Sequence, residues 1–175
     1  YSSKVDFLKN KIEDLSLEST NSIQPRDVVL YGFGRIGRLA ARELVKQAGK
    51  GQQLRIRAIV TRKCGDQELL KRVNLLKMDS VHGPISGIIE PNLENKTITF
   101  NGQLIHMIEA SSPDKIDYNA YGIDNAIVID NTGAFRDKEA LSLHLKSKGV
   151  SKVILTAPGK GVPNVVYGVN NKDLD

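Results

Sequence analysis

Three glycines in the stretch VVLYGFGRIGRLAARELV (28–45) are spaced as Gly32, Gly34 and Gly37, a G-x-G-x-x-G run between an apolar segment and one of helical periodicity. In a turn that holds a pyrophosphate each glycine has its own use. Gly32 permits a tight strand-to-helix turn, Gly34 lets the backbone approach a phosphate without a Cβ, and Gly37 lets the helix pack closely on the strand. Amides at the helix start and the positive end of its dipole then face the anion. The spacing alone also occurs in glycine turns that are only structural. A strand before it, a helix after it and a second strand about 20 residues on favour dinucleotide binding.

Such a turn is usually paired with a carboxylate that closes the second strand and holds the ribose hydroxyls. Here the strand-like run LRIRAIV is followed by Thr61, Arg62 and Lys63. A carboxylate at that point repels a 2′-phosphate, whereas a threonine beside two cations tolerates or attracts one. The expectation is a cofactor choice relaxed from NAD towards NADP; the alternative is that both cations face solvent. Other reactive groups are few. The single cysteine, Cys64, lies in RKCGD, where the adjacent cations could lower its thiol pKa, but a functional thiol is not expected there. His82, His106 and His144 are scattered and, with Cys64, show no zinc-ligand spacing, so no metal is expected. Asp79 and Asp130 are read as capping or turn residues rather than as acid–base groups.

The elements that must position these residues follow from periodicity. DVVLY is a short continuous apolar run, as expected of a strand buried on both faces. Ile36, Ala40 and Leu44, with Leu39 beside them, form a helical stripe, and Gly49 is placed to end that helix. Asp66 can cap a second helix carrying Leu69, Leu70, Val73 and Leu76. TITF and QLIHMI flank Asn101-Gly102, the dipeptide suited to a two-residue hairpin turn, and predict a short antiparallel insertion. AIVID and KVILT read as further strands around a helix from Asp137 to Lys148 that Gly149 ends, and VVYGV is a last apolar run. Strands alternating with helices argue for an α/β fold with a mostly parallel sheet covered on both faces. Before it, Val5, Leu8, Ile12 and Leu15 make one helical stripe, followed by the polar linker STNSIQPRD; the alternative is a disordered tail. The expected organisation is a helical extension and linker over 1–26 and one dinucleotide-binding domain over 27–175.

Composition narrows the function classes. The 175 residues are 40% hydrophobic and 26% charged, the balance of a globular rather than a disordered chain. The net charge of +5 fits an anionic partner such as a phosphorylated metabolite. There is no basic block or basic-aromatic alternation, so nucleic acid is not expected as a primary partner. No apolar run reaches the ~18 residues of a membrane helix. One cysteine suits a reducing compartment, which points to the cytoplasm. The first residue is Tyr1 rather than Met, as in a processed, trimmed or partial chain.

The order of several segments carries a resemblance. YGFGRIGR is similar to the start of phosphorylating glyceraldehyde-3-phosphate dehydrogenases, usually Asn-Gly-Phe-Gly-Arg-Ile-Gly-Arg. MDSVHG (78–83) resembles the family's Tyr-Asp-Ser-Thr-His-Gly, DNTGAF (130–135) its Ser-Thr-Gly-x-Phe, LTAPGK (155–160) its Ser-Ala-Pro and YGVN (167–170) its Met-Gly-Val-Asn. The matches span nearly everything from about Arg26 onwards, and the first 25 residues have no counterpart in the usual member.

The resemblance implies a Rossmann-type domain that binds NAD or NADP. Backbone at Arg35 and Ile36 would contact the pyrophosphate, Thr132, Gly133 and Phe135 would lie along the adenosine side, and Thr156 would stand near the nicotinamide. The implied cofactor set is completed by Gly32, Phe33, Gly34, Gly37, Thr61, Arg62 and Asn131. Three positions depart from the family: Tyr31 replaces an asparagine, Thr61 an aspartate, and Ser111 stands where an arginine is common. The family's nucleophile is a cysteine thiolate in a Ser-Cys-Thr-Thr-Asn segment, with a histidine as general base. No residue of this sequence matches either. The expectation is the cofactor domain of a homotetrameric enzyme that oxidises a phosphorylated aldehyde with NAD(P) and inorganic phosphate in glycolysis or gluconeogenesis. Its catalytic half is absent from this chain, and the chain alone should be inactive. Alternatives are an erythrose-4-phosphate dehydrogenase and a non-catalytic dinucleotide-binding sensor or scaffold.

Overall fold

The computed structural model describes residues 25–48 and 54–173; most of the expected N-terminal extension, and Gly49, lie outside them. The chain starts with a strand, β1 (Arg26–Tyr31), a helix, α1 (Arg35–Gln47), and a second strand, β2 (Leu54–Thr61). Val28 and Leu30 of β1 enter one apolar core and Val29 and Tyr31 the other, which explains the continuous apolar run. Helix α2 (Asp66–Lys77) follows, and then a small antiparallel pair, β3 (Met78–Asp79) with β4 (Gly83–Pro84).

The Asn101-Gly102 hairpin is present, with both residues at positive φ (48° and 82°) joining β6 (Thr97–Phe100) to β7 (Gln103–Glu109). Strand β5 (Ile89–Asn92) pairs antiparallel with β6, while β7 is also a member of the parallel sheet, in register with β2 from Ala58↔His106 to Thr61↔Glu109. After β8 (Ala126–Asp130) come a short helix, α3 (Lys138–Ser142), and the edge strand β9 (Val150–Leu155). The seven-stranded sheet has the order β5-β6-β7-β2-β1-β8-β9, and from β7 to β9 every pairing is parallel. This is a Rossmann-type α/β fold. Its strand order reverses between β1 and β8, the crevice where open α/β sheets bind ligands.

Several details differ from expectation. The buried face of α1 is Gly37, Ala41 and Val45, with Ala40 and Leu44 only partly buried and Ile36 exposed. Gly37, seated against the Gly32 carbonyl, belongs to the buried face, one position on from the expected stripe. In α2 the helix starts at Asp66 with Gly65 as its cap, and Leu70 is exposed. The helix expected over 137–148 is broken: Asp137 caps it, its carboxylate accepting from Ala140 N at 2.8 Å, but α3 gives way to a 3-10 turn, His144–Lys146. That turn carries His144 into the core. VVYGV forms no strand; Val166 lies exposed in the segment before a turn that carries the exposed Tyr167 and Val169.

Candidate cofactor cleft

The glycine turn fills the space between β1 and α1. Gly32 adopts φ 90°, and its N–H donates to the Val60 carbonyl at 2.9 Å, which binds the turn to β2. A Cβ at Gly37 would fall on the Gly32 carbonyl oxygen, well inside van der Waals contact. At Gly34 a Cβ would meet nothing within 4 Å. Gly34 is also the N-cap of α1, with no side-chain cap and no acidic residue in the first turn. The positive end of the helix therefore opens onto free space. Arg35 and Ile36 are exposed beside it, whereas Phe33 is buried in the core under α1 and α2. Phe33 thus anchors the turn rather than lining the cleft.

The facing wall is the turn after β8. Asp130 is fully buried, and its Oδ1 accepts from both the N–H and the hydroxyl of Thr132, each at 2.7 Å. The Thr132 Oγ1 in turn accepts from Ala134 N at 3.1 Å. The Asp130 carbonyl accepts from Thr156 N (3.0 Å) and Thr156 Oγ1 (3.1 Å), so β9 is locked to the same residue. Asn131 folds back: its N–H donates to Tyr31 O at 2.8 Å and its Nδ2 to Ile129 O at 2.9 Å. Gly133, at φ 64°, receives Arg136 Nε on its carbonyl at 2.7 Å. Phe135 packs edge-on against Tyr31, with ring centroids 5.9 Å apart. The two walls touch, since Thr132 Cγ2 lies 2.6 Å from where a Gly32 Cβ would stand.

At the end of β2, Thr61 is buried and its hydroxyl donates to Lys63 O at 2.9 Å, turned back into its own loop. Arg62 and Lys63 are exposed. A carboxylate does stand on the neighbouring strand: Glu109, opposite Thr61, accepts the Cys64 N–H at 2.7 Å. Cys64 itself is buried with its Sγ towards Met107 O, and burial pushes its thiol pKa up. Burial outweighs the cations that act on the thiol, Lys96 and Arg72, so it is not an activated one. Tyr31, at the end of β1, has a pKa raised to about 12, first by burial and then by the charge of Asp130.

A second cluster, not anticipated as such, grips the outside of α1. The Asp79 carboxylate accepts from Val81 N (3.0 Å) and His82 N (3.1 Å) and contacts His82 Nδ1 at 3.1 Å. Arg38 lies 3.5 Å and Arg35 3.9 Å from its other oxygen. The two backbone bonds, then the His82 ring and Arg35, hold this carboxyl well below the usual carboxylate range. Arg42 adds bonds to the carbonyls of Leu76 and Gly83. The arginines at 35, 38 and 42 share a helix face, and that spacing was the signal for this clamp. Among the described residues no group of His, Cys, Asp and Glu could hold a metal, and no helix is long and apolar enough to cross a membrane.

A family model described as the glyceraldehyde 3-phosphate dehydrogenase NAD binding domain matches residues 26–138. A glyceraldehyde-3-phosphate dehydrogenase-like protein of Pseudomonas aeruginosa is 50% identical over 171 residues, 97% of this chain and 37% of that protein. Glyceraldehyde-3-phosphate dehydrogenases of Clostridium pasteurianum and Thermotoga maritima are 33% and 38% identical, over 85% and 84% of this chain and 41% of each relative. The chain thus spans about two fifths of the length of the relatives it matches. The Pseudomonas match, at 97% of the chain, necessarily enters the first 25 residues, so the N-terminal extension has a counterpart in that relative. Fold, crevice and family match together place the chain in the glyceraldehyde-3-phosphate dehydrogenase family, in its NAD-binding domain.

Proposed function

We propose that the crevice between the Gly32–Gly37 turn and the 131–135 turn binds the cofactor of a phosphorylating glyceraldehyde-3-phosphate dehydrogenase. The single observation that carries this reading is the contrast within the glycine run. Gly37 is packed against backbone while Gly34, at the uncapped start of α1, faces open space. That is the arrangement in which a pyrophosphate can reach helix amides. In this reading Arg35 and Ile36 offer their N–H groups, Thr132, Gly133 and Phe135 flank the adenosine half, and Thr156 stands towards the nicotinamide. The bound dinucleotide supplies hydride acceptance; the chain's own residues bind and orient it.

The ribose end supports use of NADP as well as NAD. Strand β2 ends without a carboxylate, the Thr61 hydroxyl is engaged by Lys63 O, and two exposed cations stand beside it. The whole protein is proposed to oxidise a phosphorylated aldehyde with inorganic phosphate, as a cytoplasmic tetramer. These 175 residues alone are proposed to be inactive, since their one cysteine is buried. The test is a fluorescence titration of the chain with NADH and NADPH, plus an assay with glyceraldehyde 3-phosphate and erythrose 4-phosphate. Saturable binding of both nucleotides without turnover is expected. Absence of binding, or substrate-dependent reduction by this chain, refutes the reading; an NADH preference above ~100-fold, ~2.7 kcal/mol, refutes the NADP part.

A further inference from the structure

His144 lies outside the segments that define the cleft, yet the break after α3 delivers it into the core with 1% of its surface exposed. Its Nε2 sits 3.0 Å from Asp130 Oδ2. Asp130 Oδ1 already accepts two hydrogen bonds from Thr132, so the carboxylate is the acceptor on Oδ2 too and His144 donates through Nε2–H. The imidazole packs in one cluster with two rings that also touch each other, Tyr31 edge-on with centroids 4.6 Å apart and Phe135 at 5.6 Å. One donor therefore orients a carboxylate that has no exposure of its own. That carboxylate fixes the Thr132 side chain, whose methyl rests against Gly32 and whose Oγ1 holds the Ala134 N–H.

We infer that His144 is a positioning residue for the cofactor cleft, acting through Asp130 to set the Thr132 turn against the glycine turn. The inference rests on the reading that this cleft takes a dinucleotide. Without the Nε2–H donor, the Asp130 carboxylate rotates to find another partner and Thr132 loses the acceptor that selects its rotamer. Backbone at 132–134 then opens, and the wall along the adenosine half moves with it.

The test uses the full chain as wild type, H144L, H144Q and T132V, with two readouts: NADH affinity, and amide hydrogen exchange at residues 132–134 without ligand. H144L is expected to weaken NADH binding about tenfold and to speed exchange at Thr132 and Ala134 by a similar factor. H144Q, which keeps a donor of comparable reach, stays within about threefold of wild type on both readouts. T132V reproduces the H144L effect, and the double variant H144L/T132V adds little to either single one. A folded H144L with wild-type affinity and exchange overturns the inference, as does an H144Q as damaged as H144L. If H144L does not fold, T132V with unchanged affinity and Ala134 exchange overturns it, and T132V loosened while H144Q stays intact supports it. If the wild type binds no NADH, the cofactor reading fails, while exchange at 132–134 still decides whether His144 sets the turn.

Discussion

The two ends of the cleft are built from different materials. At the pyrophosphate end the shape is made by backbone: the Gly32 N–H on Val60 O, the seat of Gly37 on the Gly32 carbonyl, and the uncapped start of α1. At the ribose end it is made by side chains, a threonine turned back on its loop and two exposed cations. Backbone geometry depends on the whole sheet and tolerates almost no substitution, whereas exposed side chains can change without touching the fold. In the proposed cleft the packed part of the glycine turn is thus tied to stability, while the exposed side chains proposed to select between NAD and NADP are not.

The largest effect should come from breaking the backbone end. Gly37→Ala places a methyl group on the Gly32 carbonyl oxygen, and neither partner is the far end of a flexible side chain. Overpacking of this kind costs about 1–3 kcal/mol, so the denaturation midpoint should fall clearly and NADH binding should fall with it. Gly34→Ala is the control that separates fold from ligand. Its Cβ meets nothing within 4 Å, so stability should change by less than about 1 kcal/mol, while NADH affinity should drop about tenfold or more. An unchanged affinity in Gly34→Ala would show that no phosphate approaches that side of the turn.

The clamp on the outer face of α1 ties the backbone end to pH. Asp79 is held well below the usual carboxylate range, chiefly by the Val81 and His82 amides. In the unfolded chain it titrates near its ordinary value of 3.8. Its charged form therefore adds stability above about pH 4, and that stability disappears as the pH falls from there towards the folded value. Urea midpoints of wild type and Asp79→Asn, followed from neutral to acid pH, should differ most at neutral pH, with wild type the more stable. They should converge below about pH 4. Parallel curves would mean that the carboxylate is only a turn former.

Much of the backbone end was legible in the sequence, because its signals are local. A strand buried on both faces, DVVLY, shows as an apolar run, and the glycine spacing falls directly between strand and helix. The register of α1 was not legible. Apolar residues at 36, 39, 40, 41, 44 and 45 make a stripe too wide to choose one face, and the face that is buried includes Gly37, seated against the Gly32 carbonyl. Nor was the partnership of Asp130 with His144. Fourteen residues separate them, and their contact needs the helix after Asp137 to break, which no local pattern announces. Cys64 failed for a similar reason. Neighbours in sequence suggested a charge that could act on the thiol, but the loop after β2 buries Cys64 and leaves Arg62 and Lys63 exposed.

The ribose end gives the smallest and most selective effect. Arg62 is exposed, and its neighbour Thr61 is already committed to Lys63 O, so Arg62→Ala should leave the denaturation midpoint within about 0.5 kcal/mol. If Arg62 meets a 2′-phosphate, its removal should weaken NADPH about fivefold, roughly 1 kcal/mol for a solvent-exposed ion pair, and leave NADH unchanged. The NADPH effect should shrink as salt is raised, since exposed pairs are screened. Equal losses for both nucleotides would place Arg62 on the shared pyrophosphate or the adenine instead. No loss for either would leave the absent carboxylate and Lys63 as the NADP-permissive features of the proposed site. The ribose end would then differ from an NAD-specific one by what it fails to repel rather than by what Arg62 attracts.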